Sequence, residues 1–261
     1  MSVRAKKRFG QNFLHDGNAI ARIIDAINPR ADDHFVEIGP GQGAISEPLC
    51  RRSKRLDVIE IDRDLAAELR QRDWPGEFQL HEADALRFDF SQLPAANDKL
   101  RLAGNLPYNI STPLLFHLLD SANLFEDIHV MLQKEVVDRM AAEPGSKQYG
   151  RLTVMLAARC EVIPLFDIKP GCFRPAPKVY SSFARLLPSA EPLVSDEMLP
   201  IYKAVVTQAF SMRRKTLSNA LRKLMEPEDI EAAGIDPGLR AEVLTPEEFL
   251  ALANMAVASA D

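Results

Sequence analysis

From residue 17 onward, Ile20, Ile23, Ile24 and Ile27 recur at the spacing of one helix face, and the stripe stops at Asn28-Pro29. The period then changes. Short apolar runs at His34 to Ile38, Leu56 to Ile61, Phe78 to Glu82, Leu100 to Ala103 and Ile128 to Leu132 read as strands, while 44–53, 63–72 and the stretch around Leu114 to Leu119 keep helical spacing. Strands and helices alternating at this length predict a mostly parallel sheet covered on both faces, a doubly wound, Rossmann-like α/β fold.

Beyond residue 187 the chain changes character. "PSAEPLVSDEMLP" is rich in Pro, Ser and acids, and the residues after it keep helical spacing: Tyr202, Val205, Val206 and Ala209 form one stripe, and Leu217, Leu221 and Leu224 another. The expectation is a first domain over 1–188 and a small all-α domain over 189–261, with no internal repeat. A chain of 261 residues, 46% of them hydrophobic, has enough apolar material for both cores.

The net charge of −5 argues against a protein coated in nucleic acid, but its distribution is uneven. Arg4, Lys6, Lys7 and Arg8 stand together without an acid, and Arg213, Arg214 and Lys215 form a second cluster. Local patches of this kind, not the total, would meet a phosphate backbone. Cys50, Cys160 and Cys172 form no C-x-x-C pair and read as reduced thiols; the five histidines lack metal-ligand spacing, so no metal is expected. No apolar run is long enough to cross a bilayer, and the basic start has no apolar stretch behind it. A cytoplasmic location without membrane attachment is expected.

"FVEIGPGQGAIS" sets Gly39, Gly41 and Gly43 directly after the first predicted strand and before a helix, where bare backbone approaches a ligand closely. Glu60 ends the second predicted strand, where an acid can accept from ribose hydroxyls. Together they point to an adenosine-containing cofactor. A dinucleotide fold would spend the glycines on pyrophosphate. The E-x-G-x-G-x-G order beginning at Glu37 resembles instead the methyltransferase loop that meets the methionine part of S-adenosylmethionine, with Asp84 in "EADA" placed to bind adenine. A turn or cap is the alternative role for Asp84.

"NLPY", residues 105 to 108, leaves the fourth of these strands at the carboxyl edge where ligands of such sheets sit. It resembles the [N/D/S]-[P/L/I]-P-[Y/F/W] motif of methyltransferases acting on an amino nitrogen conjugated to a ring or carbonyl. The chemistry explains the residue types. The lone pair of an adenine amine is delocalised, so the site must accept its hydrogens: the Asn105 side-chain oxygen and the Leu106 carbonyl can do so, Pro107 fixes the direction of that carbonyl, and Tyr108 offers a stacking face. Displacement at a sulfonium methyl needs positioning more than a strong base.

Over nearly its whole length the sequence resembles the small-subunit ribosomal RNA adenine N6,N6-dimethyltransferases, relatives of the erythromycin-resistance methylases. "KKRFGQNFL" (6–14), "VEIGPGQG" (36–43), "VIEIDRDL" (58–65), "GNLPYNISTPLLFHLL" (104–119), "MLQKEVVDRM" (131–140), "YGRLTVM" (149–155), "FRPAPKV" (173–179) and "RRKTLSNAL" (213–221) carry the likeness. The resemblance implies a class I methyltransferase sheet and S-adenosylmethionine as cofactor. It also implies Asn12, Leu14, Gly39, Gly41, Glu60, Ile61, Asp84, Ala85 and Asn105 as cofactor contacts, and Phe173 as an aromatic closing on the target base opposite Tyr108, although taken by itself Phe173 reads as an ordinary core residue. The implied reaction is dimethylation of two adjacent adenines in the loop of the 3′-terminal helix of 16S RNA, within an immature 30S subunit, by a monomer.

RNA readers take unstacked loop bases, and base-modifying enzymes extract them; Lys6, Lys7, Arg8, Arg213, Arg214 and Lys215 would hold the phosphates. Tyr180 departs from the family, where Asp is frequent, which bears on any role for the adjacent Ser181. The alternatives are methylation of another RNA or DNA adenine or of a protein glutamine, a binding factor of the same fold without turnover, and, more distantly, a nicotinamide oxidoreductase.

Overall fold

The computed structural model describes residues 5–6, 10–93 and 99–258. In chain order the elements are β1 (Phe13–Leu14), α1 (Gly17–Ile27), β2 (His34–Ile38), α2 (Ser46–Arg52), β3 (Arg55–Glu60), α3 (Arg63–Arg70), β4 (Glu77–Glu82), β5 (Leu100–Asn105), α4 (Ser111–Asp120) and β6 (Phe125–Gln133). They continue with α5 (Lys134–Met140), α6 (Arg151–Ala157), β7 (Cys160–Ile168), β8 (Phe173–Arg174), β9 (Ser181–Pro188), α7 (Leu199–Ser211), α8 (Leu217–Leu221), α9 (Pro227–Ala232) and α10 (Pro246–Ala258).

Helix α1 shows why the elements stop where they do. The Asp16 side chain accepts from the Ala19 N–H, and Asn28 ends the helix in the left-handed region (φ 50°), its N–H donating to the Ile24 carbonyl. Between these caps, Ile23, Ile24 and Ile27 are buried against the sheet core.

The seven-stranded sheet runs β4-β3-β2-β5-β6-β9-β7. The pairs β3–β4, β2–β3, β2–β5 and β5–β6 are parallel, and β9 runs antiparallel to β6. The expected doubly wound α/β sheet is therefore present, and its order reverses between β2 and β5, where open sheets of this type hold ligands beyond the carboxyl ends of the strands. A separate ribbon pairs β1 with β8, Phe13 opposite Arg174 and Leu14 opposite Phe173.

Two buried polar clusters lie in the sheet. Arg101 on β5 is 5% exposed and donates to both Asp127 oxygens, to Asp33 and to the Ile27 and Asn28 carbonyls, so the end of α1 is tied to the sheet. Asp57 on β3 lies within hydrogen-bond reach of His34, His81 and Arg55. Burial would raise its pKa, but the side-chain hydrogen bonds outweigh burial and hold it well below the usual carboxylate range.

The chain divides into two compact units: 1–137 with 163–188, and 138–162 with 189–261. The expected first domain of 1–188 thus needs correction, because 138–162 clusters with the C-terminal residues. The reason is packing. Leu152, Thr153, Val154, Met155 and Leu156 are all buried on α6, the Tyr149 hydroxyl donates to the Leu244 carbonyl, and Tyr202 on α7 reaches the Val154 carbonyl. The second unit is largely helical, as the periodicity beyond residue 187 predicted.

Candidate active site

Beyond the carboxyl ends of β2, β3, β4 and β5 lies a pocket enclosing about 1160 Å³ of space not filled by atoms, its open mouth included. The glycine loop forms its floor. Gly39, Gly41 and Gly43 all have positive φ, at 67°, 56° and 76°. At Gly41 a Cβ would come within 3.1 Å of the Phe13 ring and press it back, and the positive φ there also disfavours any side chain.

Three acids face the pocket. Glu37 is 1% exposed, and its Oε2 has no hydrogen-bond partner. Burial pushes its carboxyl up to about 8; the nearby Ser46 hydroxyl tempers the shift, and the Glu60 charge adds to it. Glu60, at the end of β3, accepts from the Asp62 N–H at 2.9 Å, and burial raises its pKa also. Asp84 lines the pocket as expected and at the same time accepts from the Leu86 N–H at 3.0 Å, so the turn role and the site role coexist. Between Glu60 and Asp84, Ile61 remains 47% exposed, an apolar surface in the pocket wall, and Ala85 completes that wall.

On the opposite side, Asn105 is the last residue of β5, paired with Met131. Gly104 precedes it because a Cβ there would lie 2.8 Å from the Ile38 carbonyl oxygen. The Asn105 Nδ2 donates to the Asn12 carbonyl at 3.0 Å, which leaves Oδ1 as the free end of the amide. Leu106 is fully buried with its N–H on the Met131 carbonyl, and the Pro107 carbonyl accepts from the Ile110 N–H, so the turn is held at both ends. The Tyr108 hydroxyl lies 2.7 Å from the Ser181 hydroxyl on β9.

The structure therefore gathers Asn12, Leu14, Gly39, Gly41, Glu60, Ile61, Asp84, Ala85, Asn105, Leu106, Pro107 and Tyr108 around one pocket. Phe173 is placed differently: it is 2% exposed, pairs with Leu14 and packs among Ile24, Ile168 and Phe183, where core burial and not a base-stacking face is its role in this state. Lys6 does not present a free charge for phosphate, because its ammonium is bound to Asp62 at 2.5 Å and Asp64 at 2.6 Å. Lys7 and Arg8 lie outside the described residues. Arg213 donates to the Lys147 carbonyl and pairs with Glu242, while Arg214 and Lys215 are exposed.

Sequence reasoning missed Asp62, Gln11 and Ser181. "EIDRDL" carried a readable N-cap signal at Asp62, an Asp before a helical run, but nothing local announced its distant partners. Among the described residues no group of His, Cys, Asp and Glu side chains is arranged to hold a metal ion, and no helix is long and apolar enough to cross a membrane.

The family model for ribosomal RNA adenine dimethylases matches residues 2–257. The chain belongs to that family. It is 52% identical over 252 residues to the ribosomal RNA small subunit methyltransferase A of Pseudomonas aeruginosa, covering 96% of this chain and 94% of that one. With the protein of the same name from Aromatoleum aromaticum it shares 54% identity over 253 residues, covering 96% and 94%. Among solved structures, a dimethyladenosine transferase from Plasmodium falciparum superposes with a TM-score of 0.79 at 25% identity, covering 92% of this chain and 95% of that one. The 23S rRNA methyltransferase ErmE superposes with a TM-score of 0.72 at 28% identity, covering 94% and 100%. For a ribosomal RNA adenine dimethylase, the unpartnered Glu37 oxygen and the side-chain-free loop at Gly41 fit S-adenosylmethionine, whose methionine end is cationic at its amine.

Proposed function

We propose that this ribosomal RNA adenine dimethylase methylates N6 of two adjacent adenines in the loop of the 3′-terminal helix of 16S RNA, twice each, within an immature 30S subunit. The observation that carries the catalytic part of this reading is the Asn105 amide, pinned through Nδ2 to the Asn12 carbonyl so that Oδ1 is left to accept from the substrate amine. An amide free to rotate would offer donor and acceptor in turn; this one offers the acceptor.

S-adenosylmethionine supplies an electrophilic methyl group. Glu37 would take the amine of its methionine end, Glu60 the ribose hydroxyls, and Asp84 with Ile61 the adenine edge and face. Asn105 Oδ1 and the Leu106 carbonyl draw on the two N–H groups of the target amine, which localises its lone pair for an in-line displacement. Tyr108, anchored by Ser181, presents its ring to the extracted base. The methylated amine gives up one proton to solvent and keeps one hydrogen, so one acceptor still orients it for the second transfer.

The helical unit, with Arg214 and Lys215 exposed, supplies phosphate contacts in this reading, and the protein works as a monomer in the cytoplasm. Labelled methyl transfer to undermethylated small subunits, naked 16S RNA and large subunits, followed by nucleoside analysis, tests it. Dimethyladenosine in small subunits alone is the expected result. Label in large-subunit RNA would move the substrate to that of ErmE, and bound cofactor with no labelled nucleoside would leave an RNA-binding factor.

A further inference from the structure

We propose that Asp62 is a positioning residue for the cofactor, holding the N-terminal wall of the pocket against the strand end that carries Glu60. This rests on the reading of the pocket as the S-adenosylmethionine site.

Asp62 is 1% exposed and is used from every side. Its N–H donates to Glu60 Oε1 at 2.9 Å, fixing the carboxylate assigned to ribose. Its Oδ1 accepts from the Asp64 N–H at 3.1 Å as the cap of α3, and the same oxygen takes the Lys6 ammonium at 2.5 Å. Oδ2 accepts from Gln11 Nε2 at 2.9 Å, and Gln11 Oε1 in turn accepts from the Lys6 N–H at 2.7 Å. The next residue, Asn12, gives its carbonyl to the Asn105 amide. A continuous set of bonds thus runs from Glu60 through Asp62 and Gln11 to Asn12 and Asn105, from the ribose side of the pocket to the amine-acceptor side.

A helix cap alone does not require this arrangement. Asparagine caps a helix about as well as aspartate. What needs a carboxylate is the second oxygen, which must accept from Gln11, and the negative charge, which must face Lys6. Asp62→Asn therefore separates the two roles: the cap oxygen survives, while the other end of the side chain becomes a donor facing the Gln11 donor.

The test is calorimetric titration of S-adenosylhomocysteine into the full chain, with no RNA present, for wild type, Asp62→Asn, Lys6→Gln, Lys6→Arg and the Asp62→Asn/Lys6→Gln double variant, with melting temperatures alongside. Asp62→Asn is expected to weaken binding roughly tenfold and to lower the melting temperature, whereas Lys6→Gln should weaken binding roughly threefold with the melting temperature little changed, and Lys6→Arg should stay close to wild type in both. The double variant should be no weaker than Asp62→Asn alone, because both substitutions break one linkage. Wild-type affinity in Asp62→Asn, or additive losses in the double variant, would overturn the positioning role while leaving the cofactor site standing. Failure of the wild-type chain to bind S-adenosylhomocysteine would instead remove the cofactor reading, and this inference with it.

Discussion

Tyr108 and Ser181 lie 73 residues apart in sequence, and their hydroxyls meet at 2.7 Å. The contact joins the turn after β5 to the first residue of β9, and Ser181 is itself fully buried. Burial raises the Tyr108 pKa and the Ser181 contact opposes that shift, so the phenol stays protonated through neutral pH. The hydrogen bond fixes where the ring stands, not its charge. Ser181→Ala should lower kcat about three- to tenfold with cofactor affinity unchanged, from one neutral hydrogen bond lost. In a Tyr108→Phe background the same substitution should cost nothing further, and measuring both backgrounds decides the point.

The proposed role of Asn105 as amine acceptor makes a direct prediction for turnover. Asn105→Ala removes the side-chain acceptor and frees the Asn12 carbonyl, and methyl transfer should fall by about 10² to 10³. Asn105→Asp keeps an acceptor but loses the donor to Asn12 and should retain more activity than the alanine variant. Single-turnover rates at saturating cofactor separate this loss from any weakening of cofactor binding.

If Glu37 takes the cofactor amine as proposed, cofactor binding is a protonation event. Its carboxyl, raised from 4.5 to about 8 by burial, holds a proton at pH 7 in the free protein, and a cation placed beside it drives that proton off. Titration of S-adenosylhomocysteine at pH 7 in buffers of different ionisation enthalpy should show release of about one proton, absent in Glu37→Gln. The same group sets a stability slope. Because the folded state keeps the proton where the unfolded chain has lost it, the contribution is complete below pH 4.5 and disappears as the pH rises toward 8. Denaturant unfolding of the free protein should therefore show Glu37→Gln gaining stability relative to wild type across that window.

Much of this was legible locally. The alternating strands from His34 to Leu132 and the motif at Asn105 follow from period and turn chemistry, and the helix expected over 44–53 runs only over Ser46–Arg52, its end fixed by Ser53, which leaves the helix in extended backbone with its N–H on the Leu49 carbonyl. β7 escaped because it sits at the sheet edge, half exposed with no clean alternation, and β1 because two residues carry no period. Phe173 and Lys6 are hard to place from sequence for a common reason. A ring beside a motif and a cation in a basic run look functional until distant residues, Leu14 for one and Asp62 for the other, claim them.

Removing the guanidinium at Arg101 is the sharpest stability test. Arg101→Leu removes the charge partner of Asp33, which keeps only the Arg30 N–H, and of Asp127 in the sheet, which keeps only Arg185 as a charged hydrogen-bond donor, and unfolding by denaturant should show a loss of about 3–5 kcal/mol.

Gly41→Ala puts a methyl group against the Phe13 ring at a φ of 56°. Left-handed backbone at alanine costs about 1–2 kcal/mol, and the displaced ring moves the pocket wall, so cofactor affinity should drop with the melting temperature. The two readouts are calorimetry and thermal unfolding.

The ribbon of Phe13 with Arg174 and Leu14 with Phe173 bears on how the protein is made. A nascent chain emerging from its ribosome displays the glycine loop, both strand-end acids and Asn105 long before residue 174 exists. The strand that pairs with Phe13 and Leu14 follows every residue that lines the pocket, and Ser181 comes after it. A message cut short before that codon yields a chain holding nearly every motif of the enzyme, yet lacking the clasp that secures its N-terminal wall.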